Sequence, residues 1–437
     1  MTPSRITWFL FLCFVFALLG CKNGTDKNVS EKRKATTNQI VSDAGLPIIK
    51  LTNGPKQHWF GYYDKWQVDP TGRYVLGCEV DTFFRSPTIQ DTLRIGVIDL
   101  ENNNEWTALG ISRSWGWQQS CMLQWLPGSD QEIIWNDLED EKFVSHILNI
   151  KTGKRRTLPK PIYTLSNDGS FAVGTAFNRI QNMRPGYGYP GSEDPYAKLK
   201  APDEIGIYKM DLTTGKDEKL ISIGEMAKEP YLGEDLGKYW HYFNHLLISP
   251  DDKRFIFLHR WRNAPANSKG ASRGFTTRMV TANLDGSDNY ILDPSGNTSH
   301  FIWREPNEVC MWTKPVGKEF GFYLFTDQTD KIEPVGENTM VVNGHNTYVP
   351  NTNHEWILND TYPQGDERLQ ELYLYHVPTG RKVSLGKFHE PKGYTGEWRC
   401  DLHPRSSQDG KFVIFDSTHG GDGRQLYMVD ISSIVGN

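Results

Sequence analysis

The sequence predicts an all-β fold: a seven-bladed β-propeller of four-stranded blades, closed by its N-terminal strand. Three observations predict it. Short runs rich in β-branched and aromatic residues alternate with turn clusters, and no helical period is sustained. One strand–turn–strand theme returns about seven times between residues 46 and 436, a repeat of about 56 residues with insertions, slightly above the roughly 40–50 of a four-stranded blade. Forty Gly and 24 Pro supply the turns, while 14 Trp, 19 Tyr and 21 Phe supply a core, which excludes a helical bundle and a disordered chain alike.

The chain opens on a segment outside that fold. Arg5 precedes an apolar run from Ile6 to Leu19, the length of a signal-peptide core and short for a membrane span. Leu18-Leu19-Gly20-Cys21 resembles the bacterial lipobox, in which the Cys is lipidated and becomes the mature N-terminus. Residues 1–20 are then a lipoprotein signal peptide and Cys21 the lipidated anchor; an ordinary signal peptide or membrane anchor is the plainer alternative. The expected location is the bacterial cell envelope, facing the periplasm or the cell surface, with the membrane met through the lipid alone. Residues 21–45 are polar and read as a flexible tether, and 46–437 as the propeller.

Within the propeller the clearest copies of the repeat are Val68–Leu76, Ile162–Val173, Leu246–Leu258 and Asp401–Phe415. The closing strands Ile95–Leu100, Ile207–Leu212, Leu372–His376 and Leu426–Ile431 match one another. Blades are expected to start near 62, 121, 162, 245, 300, 345 and 401. The last unit has three strands of its own, and Leu46–Leu51 is placed to supply the fourth, hiding two sheet edges. Six or eight blades stay open, because the third unit carries an insertion, Phe177 to Ala201, expected as a surface loop over one rim. A second insertion runs from Trp261 to Thr277.

Charge and cysteines narrow the function. The 437-residue chain has 48 basic and 53 acidic residues, a net charge of −5. That balance, without a basic stripe, excludes a dedicated nucleic-acid binder. Cys78, Cys121, Cys310 and Cys400 are widely spaced and without a Cys-x-x-Cys pair, so buried free thiols are expected rather than a disulfide framework or a thiolate zinc site. A serine hydrolase is disfavoured by the lack of a Gly-x-Ser-x-Gly elbow. A monomer is expected.

Four histidines share a register. His245, His300, His345 and His403 each lie five residues before the residue that leads into a turn, and are spaced by 55, 45 and 58 residues. Equivalent positions on neighbouring blades converge at one rim of a propeller's channel. A ring of imidazoles, with Asp401 two residues before His403, can hold a divalent ion or act as a general base. Basic and aromatic residues gather nearby in His58–Lys65, Tyr239–Asn244, His259–Arg262 and Glu397–Arg399. Trp and Tyr faces stack on sugar rings and Arg forks onto carboxylate or sulfate, which points to an anionic oligosaccharide. Inter-blade packing is the bland alternative for each aromatic cluster.

The motifs His58-Trp-Phe-Gly-Tyr-Tyr-Asp-Lys65, His245-Leu-Leu-Ile-Ser-Pro250, Thr298-Ser-His-Phe-Ile-Trp303, Gly344-His345 and His403-Pro-Arg-Ser-Ser407 resemble, in order and spacing, the oligogalacturonate lyases. These are seven-bladed propellers that cleave short uronic-acid oligomers with a bound Mn ion. The resemblance runs from about residue 50 to 435; TolB-type propellers, which bind proteins, are its relatives. It implies His245 as catalytic base and His300 and His403 as metal ligands, with Asp401 where the family has a third His and Trp398 near its ligating Gln. These two changes leave the metal's identity open, Mn being the family's. The segment of the family's substrate arginine offers only Lys209, and Arg260 or Arg262 is the substitute, so the substrate is expected to differ from oligogalacturonate. Candidate substrate contacts are His58, Arg260, Arg262, His345, Trp398 and Arg399, and Tyr62 or Tyr242 is the candidate acid. The reading is an extracytoplasmic lipoprotein lyase acting by metal-assisted β-elimination. Its alternative is a non-catalytic propeller lipoprotein that binds a glycan or a protein.

Overall fold

The computed structural model describes residues 40–436. The expected signal peptide, Cys21 and the tether up to residue 39 lie outside the described residues.

Seven antiparallel sheets succeed one another along the chain, each a meander from an inner to an outer strand. Their innermost strands are Gln57–Trp59, Gln124–Trp125, Thr164–Leu165, Trp240–Ile248, Phe301–Glu305, Thr347–Tyr348 and Arg405–Ser406. These are the seven expected blades, each starting within about five residues of the position the repeat indicates. The outer strand of the last blade is Pro47–Lys50, paired antiparallel with Gln425–Asp430 through Ile48↔Val429 and Lys50↔Tyr427. Ile40–Val41 turns back onto Pro47–Lys50 as a fifth strand, so the segment expected as tether enters the sheet before it ends.

The second strand of each blade and most of the third strands are almost wholly buried, for example Arg254–Arg262, Thr276–Asn283 and Phe412–Ser417. That is why they read as continuous apolar runs rather than alternating ones. Side chains from neighbouring sheets interlock: Ile256, Leu258 and Met279 of blade 4 with Phe301, Val309 and Phe325 of blade 5. The four cysteines are buried and free, as expected.

The first insertion is not a loose surface loop. Its Phe177–Met183 forms a short helix, and the ring of Tyr189 stacks on Phe177 at 4.3 Å. Arg179 is buried and donates to the backbone oxygens of His241, Leu199 and Lys200 at 2.8–2.9 Å. A single guanidinium thus fastens the insertion to blade 4 through charge-assisted hydrogen bonds.

The segment before the second strand of blade 1 decides the channel. Gly61 has φ +135°, and a Cβ there would lie 2.8 Å from Ser120 Oγ, so a glycine is required where the chain turns inward. Tyr62 then lies against His245, His345 and His403, from blades 4, 6 and 7. Tyr63 lies against His245, His300 and His345. Its hydroxyl donates to Phe301 O and accepts from Phe301 N–H, both at 2.9 Å. Only side chains on the propeller axis meet so many blades at once, so this pair plugs the channel.

Candidate active site

All four histidines gather at that plug. The ring of His345 lies 4.1 Å from His300 and 4.3 Å from His403, centroid to centroid. His245 lies 4.9 Å from Tyr62 and 4.0 Å from Phe301. The backbone explains how they are aimed. His245 sits on a β-bulge between Asn244 and Leu247, and a bulge re-aims the side chain it carries. His245 and His403 have φ of +50° and +41°, a left-handed conformation that costs a non-glycine residue of order 1–3 kcal/mol and clusters at functional sites.

Hydrogen bonds orient each ring. His345 Nδ1 meets both carboxylate oxygens of Asp360, at 2.9 and 3.0 Å, and its backbone N–H donates to Asp360 at 2.7 Å. Its Nε2 is buried without a partner, as are His403 Nε2 and both carboxylate oxygens of Asp401 as hydrogen-bond acceptors. Asp401 Oδ2 does lie 2.8 Å from Arg399 Nε, an ion pair off the line of a directed hydrogen bond. Ligand atoms of His345, Asp401 and His403 all fall within 4.8 Å of one another. Two imidazole nitrogens and a carboxylate, buried and free of directed hydrogen bonds, are a donor set suited to Zn, Mn or Fe, and Asp360 holds the His345 ring in place from its other side.

The trio departs from the expected one. The family resemblance implies His300 for the ion and His345 is a candidate substrate contact; the compact set is His345, Asp401 and His403. His300 stands beside it with Nδ1 on Asn343 Oδ1 at 3.0 Å and Nε2 facing Tyr362 Oη at 3.4 Å.

His245 has its own carboxylate. Its Nε2 lies 3.2 Å from Asp64 Oδ2, and its backbone N–H donates to Tyr163 Oη at 2.8 Å. Burial would push Asp64 up, but Lys65 and His245 more than offset this and hold it down at about 2. An ionised Asp64 places the proton on Nε2 and leaves Nδ1 as the basic atom. Burial outweighs the Asp64 contact and lowers His245 to about 4, so the imidazole is neutral at pH 7.

Three guanidiniums face the same space. Arg399 bridges Asp401 and, at 2.8 Å, Tyr187 Oη. Arg260 donates to Thr277 Oγ1 and Asn244 Oδ1. Arg184, from the first insertion, stacks 3.8 Å over Tyr187 and 4.8 Å from Phe275. Burial opposes the charge of Arg184, yet the phenols of Tyr187, Tyr242 and Tyr62 keep its pKa raised. Burial and then Arg184 pull Arg260 down to about 10. Tyr242 Oη is buried without a partner, and burial raises both Tyr62 and Tyr242, so each phenol retains its proton.

Other candidates are held elsewhere. His58 has Nδ1 on Gln425 at 2.9 Å and Nε2 on Glu79 at 3.1 Å, which makes it a link between blades 1 and 7. Arg262 donates to the backbone oxygens of Met183 and Ser272 and so pins the insertions. Trp398 packs on the core shared by blades 1, 2 and 7 and donates to Gly393 O at 3.1 Å. Arg184, Tyr187, Tyr362 and Asp64 are the residues that sequence reasoning passed over. The Arg184-Pro-Gly-Tyr187 run was visible; a cation beside an aromatic in an insertion was its signal.

The buried imidazoles predict acid lability. Burial holds His241, His245 and His419 down at about 4, and His259, His300 and His403 well below their ordinary value. In the unfolded chain each titrates near 6.5. As pH falls from about 6.5 toward 4 the unfolded chain takes up more protons than the folded one, and stability present above pH 6.5 is lost. Calorimetric Tm is expected to drop steadily over that interval. A Tm unchanged between pH 7 and 4.5 rejects the buried-neutral assignment.

No family model matches the chain, and no curated protein matches it. Solved structures do match its fold. An oligogalacturonate lyase from Vibrio parahaemolyticus is 15% identical, with a TM-score of 0.61 over 90% of this chain and 96% of that one. An oligogalacturonate lyase in complex with manganese is 14% identical, with a TM-score of 0.60 over 90% and 95%. TolB from Acinetobacter baumannii is 15% identical over 72% of this chain and 64% of its own, with a TM-score of 0.39. At these identities the likeness is one of fold.

Proposed function

We propose that this mouth cleaves uronic-acid-containing oligosaccharides by β-elimination, with a divalent ion held by His345, His403 and Asp401. One observation carries the reading. The compact donor trio lies in one cluster with a carboxylate-oriented neutral imidazole; Arg399 pairs with Asp401 and meets Tyr187, over which Arg184 stacks. A fold shared with two oligogalacturonate lyases, one of them a manganese complex, supports it.

Elimination needs the C5 proton of a uronide made acidic, a base to take it, and a proton for the departing oxygen. A divalent ion, when bound, spreads the charge that develops on the C5 carboxylate. Arg184 and Arg260 are the side chains placed to fork onto that carboxylate or a neighbouring one. His245 Nδ1 takes the C5 proton, and Asp64 stabilises the imidazolium that results. The C5–H electron pair forms the C4–C5 double bond as the C4–O bond breaks. Tyr242, whose buried hydroxyl has no other partner, or Tyr62 returns a proton to the leaving oxygen. We also assign Cys21 as a lipid anchor that holds this monomeric propeller at the cell envelope.

The test couples metal analysis of the purified protein to a screen of uronic-acid oligomers, read by the absorbance of the unsaturated product. The expected result is about one divalent ion per chain and turnover abolished by chelator and restored by the ion. A metal-free protein that turns over, or a metal-loaded one inert on every uronide, overturns it.

A further inference from the structure

The channel has a second chamber on the other side of the plug. It has a volume of about 530 Å³, and Tyr63, Asp64 and Lys65 form part of its wall, with none of the four clustered histidines among its lining. Two cationic side chains lining it are almost completely buried: Lys65 is 3% exposed and Arg405 1%.

Each cation has a carboxylate partner and a donor left over. Lys65 Nζ pairs with Asp64 Oδ1 at 3.1 Å, off the line of a hydrogen bond, and has no other partner. Arg405 uses Nε on Gln67 and one terminal nitrogen on Asp416, both at 2.7 Å, and its other terminal nitrogen is unpartnered. The hydroxyls of Thr347 and Ser406, on the same wall, are buried and unpartnered as well. Beside these four groups able to donate, the buried carboxylate oxygen left without a hydrogen bond on the wall is Asp64 Oδ1, which pairs with Lys65; Glu305, at the more exposed end, pairs with His354. Unmet buried donors are costly, and this excess of donors fits an acceptor-rich guest. Trp303, Tyr348, Leu247 and Val349 give the chamber an apolar stretch, beside a polar one that includes Arg304, Glu305 and His354; the apolar stretch is a wall for a flat or apolar body.

We propose that this chamber is a second ligand site, for a small organic carboxylate whose charged end meets Lys65 and Arg405 and whose body lies along Trp303 and Tyr348. The site lies across the Tyr62–Tyr63 plug from the histidine mouth and shares one residue with it, Asp64, which also orients His245.

The probe is benzoate, titrated calorimetrically into the full-length protein, with benzamide as its uncharged counterpart. Benzoate is expected to bind with a submillimolar Kd and benzamide at least about tenfold more weakly. Lys65→Met is expected to weaken benzoate at least about tenfold, and His345→Ala to leave it unchanged. If Lys65→Met does not fold, the double variant Thr347→Val, Ser406→Ala makes the same comparison with an expected loss of several-fold. Equal binding of benzoate and benzamide, no benzoate binding by the wild type, or binding insensitive to the chamber variants overturns the proposal. So does binding lost in His345→Ala, which assigns the carboxylate to the histidine mouth.

Discussion

His245→Ala is expected to lower kcat on a uronide by about 10³-fold while leaving the propeller folded, within the 10²–10⁴ that general-base catalysis contributes. The ring touches Tyr62, Tyr63 and Phe301, so its loss leaves a small buried cavity beside the plug and cuts no strand pairing. The far-reaching contact is with Asp64. Asp64→Asn keeps the shape but no longer requires the proton on Nε2, so its kcat is expected to fall by a smaller factor, with KM little changed. The pH profile carries the sign. With His245 at about 4, the basic form prevails above that pH. Activity is therefore expected to hold from neutrality down to about pH 5 and then fall as the imidazole protonates. Full product formation by folded His245→Ala, followed as growth of the unsaturated chromophore, removes His245 from the mechanism.

The histidine register was legible because a propeller turns linear spacing into radial neighbourhood. His245, His300, His345 and His403 are far apart along the chain, and blade geometry alone brings their rings within 4–6 Å of a common plug. The blade starts were legible for the same reason: turn chemistry and apolar strand runs are local signals, repeated often enough to be phased against one another.

What escaped was set by side-chain direction. Register places His300 and His345 equivalently, but Asp360 turns the unpartnered nitrogen of His345 into the trio, while Asn343 and Tyr362 face both nitrogens of His300. Nothing in a linear pattern encodes that choice. His58 sits in the motif that also supplies Tyr62 and Asp64, yet the inward turn at Gly61 comes after it. It therefore stays in the sheet while its neighbours enter the channel. Arg184 was hidden for a different reason: an insertion without periodicity carries no phase, and its helix with the Arg179 and Arg262 staples brings it over the rim.

The trio itself gives the second large effect. His403→Ala and His345→Ala are each expected to reduce bound divalent ion from about one per chain to a small fraction, and activity with it. Removing one of three donors takes away a large part of the binding energy of the set. The two variants are distinguishable from structural damage. His403 Nε2 has no hydrogen-bond partner in the protein, so its removal strands no other group, and Tm of the metal-free protein is expected to be nearly unchanged. His345→Ala removes the ring nitrogen that meets Asp360 at 2.9 Å and leaves a buried carboxylate short of a hydrogen bond, so it is expected to cost stability as well as metal. His300→Ala separates the trio from the alternative set. With both its nitrogens facing protein groups, His300 is expected to be dispensable for metal retention and to affect turnover alone. If His300→Ala strips the ion while His345→Ala retains it, the donor trio is the wrong one. The ion then sits among His300, His403 and Asp401, with the His300 ring turned away from Tyr362 to reach it.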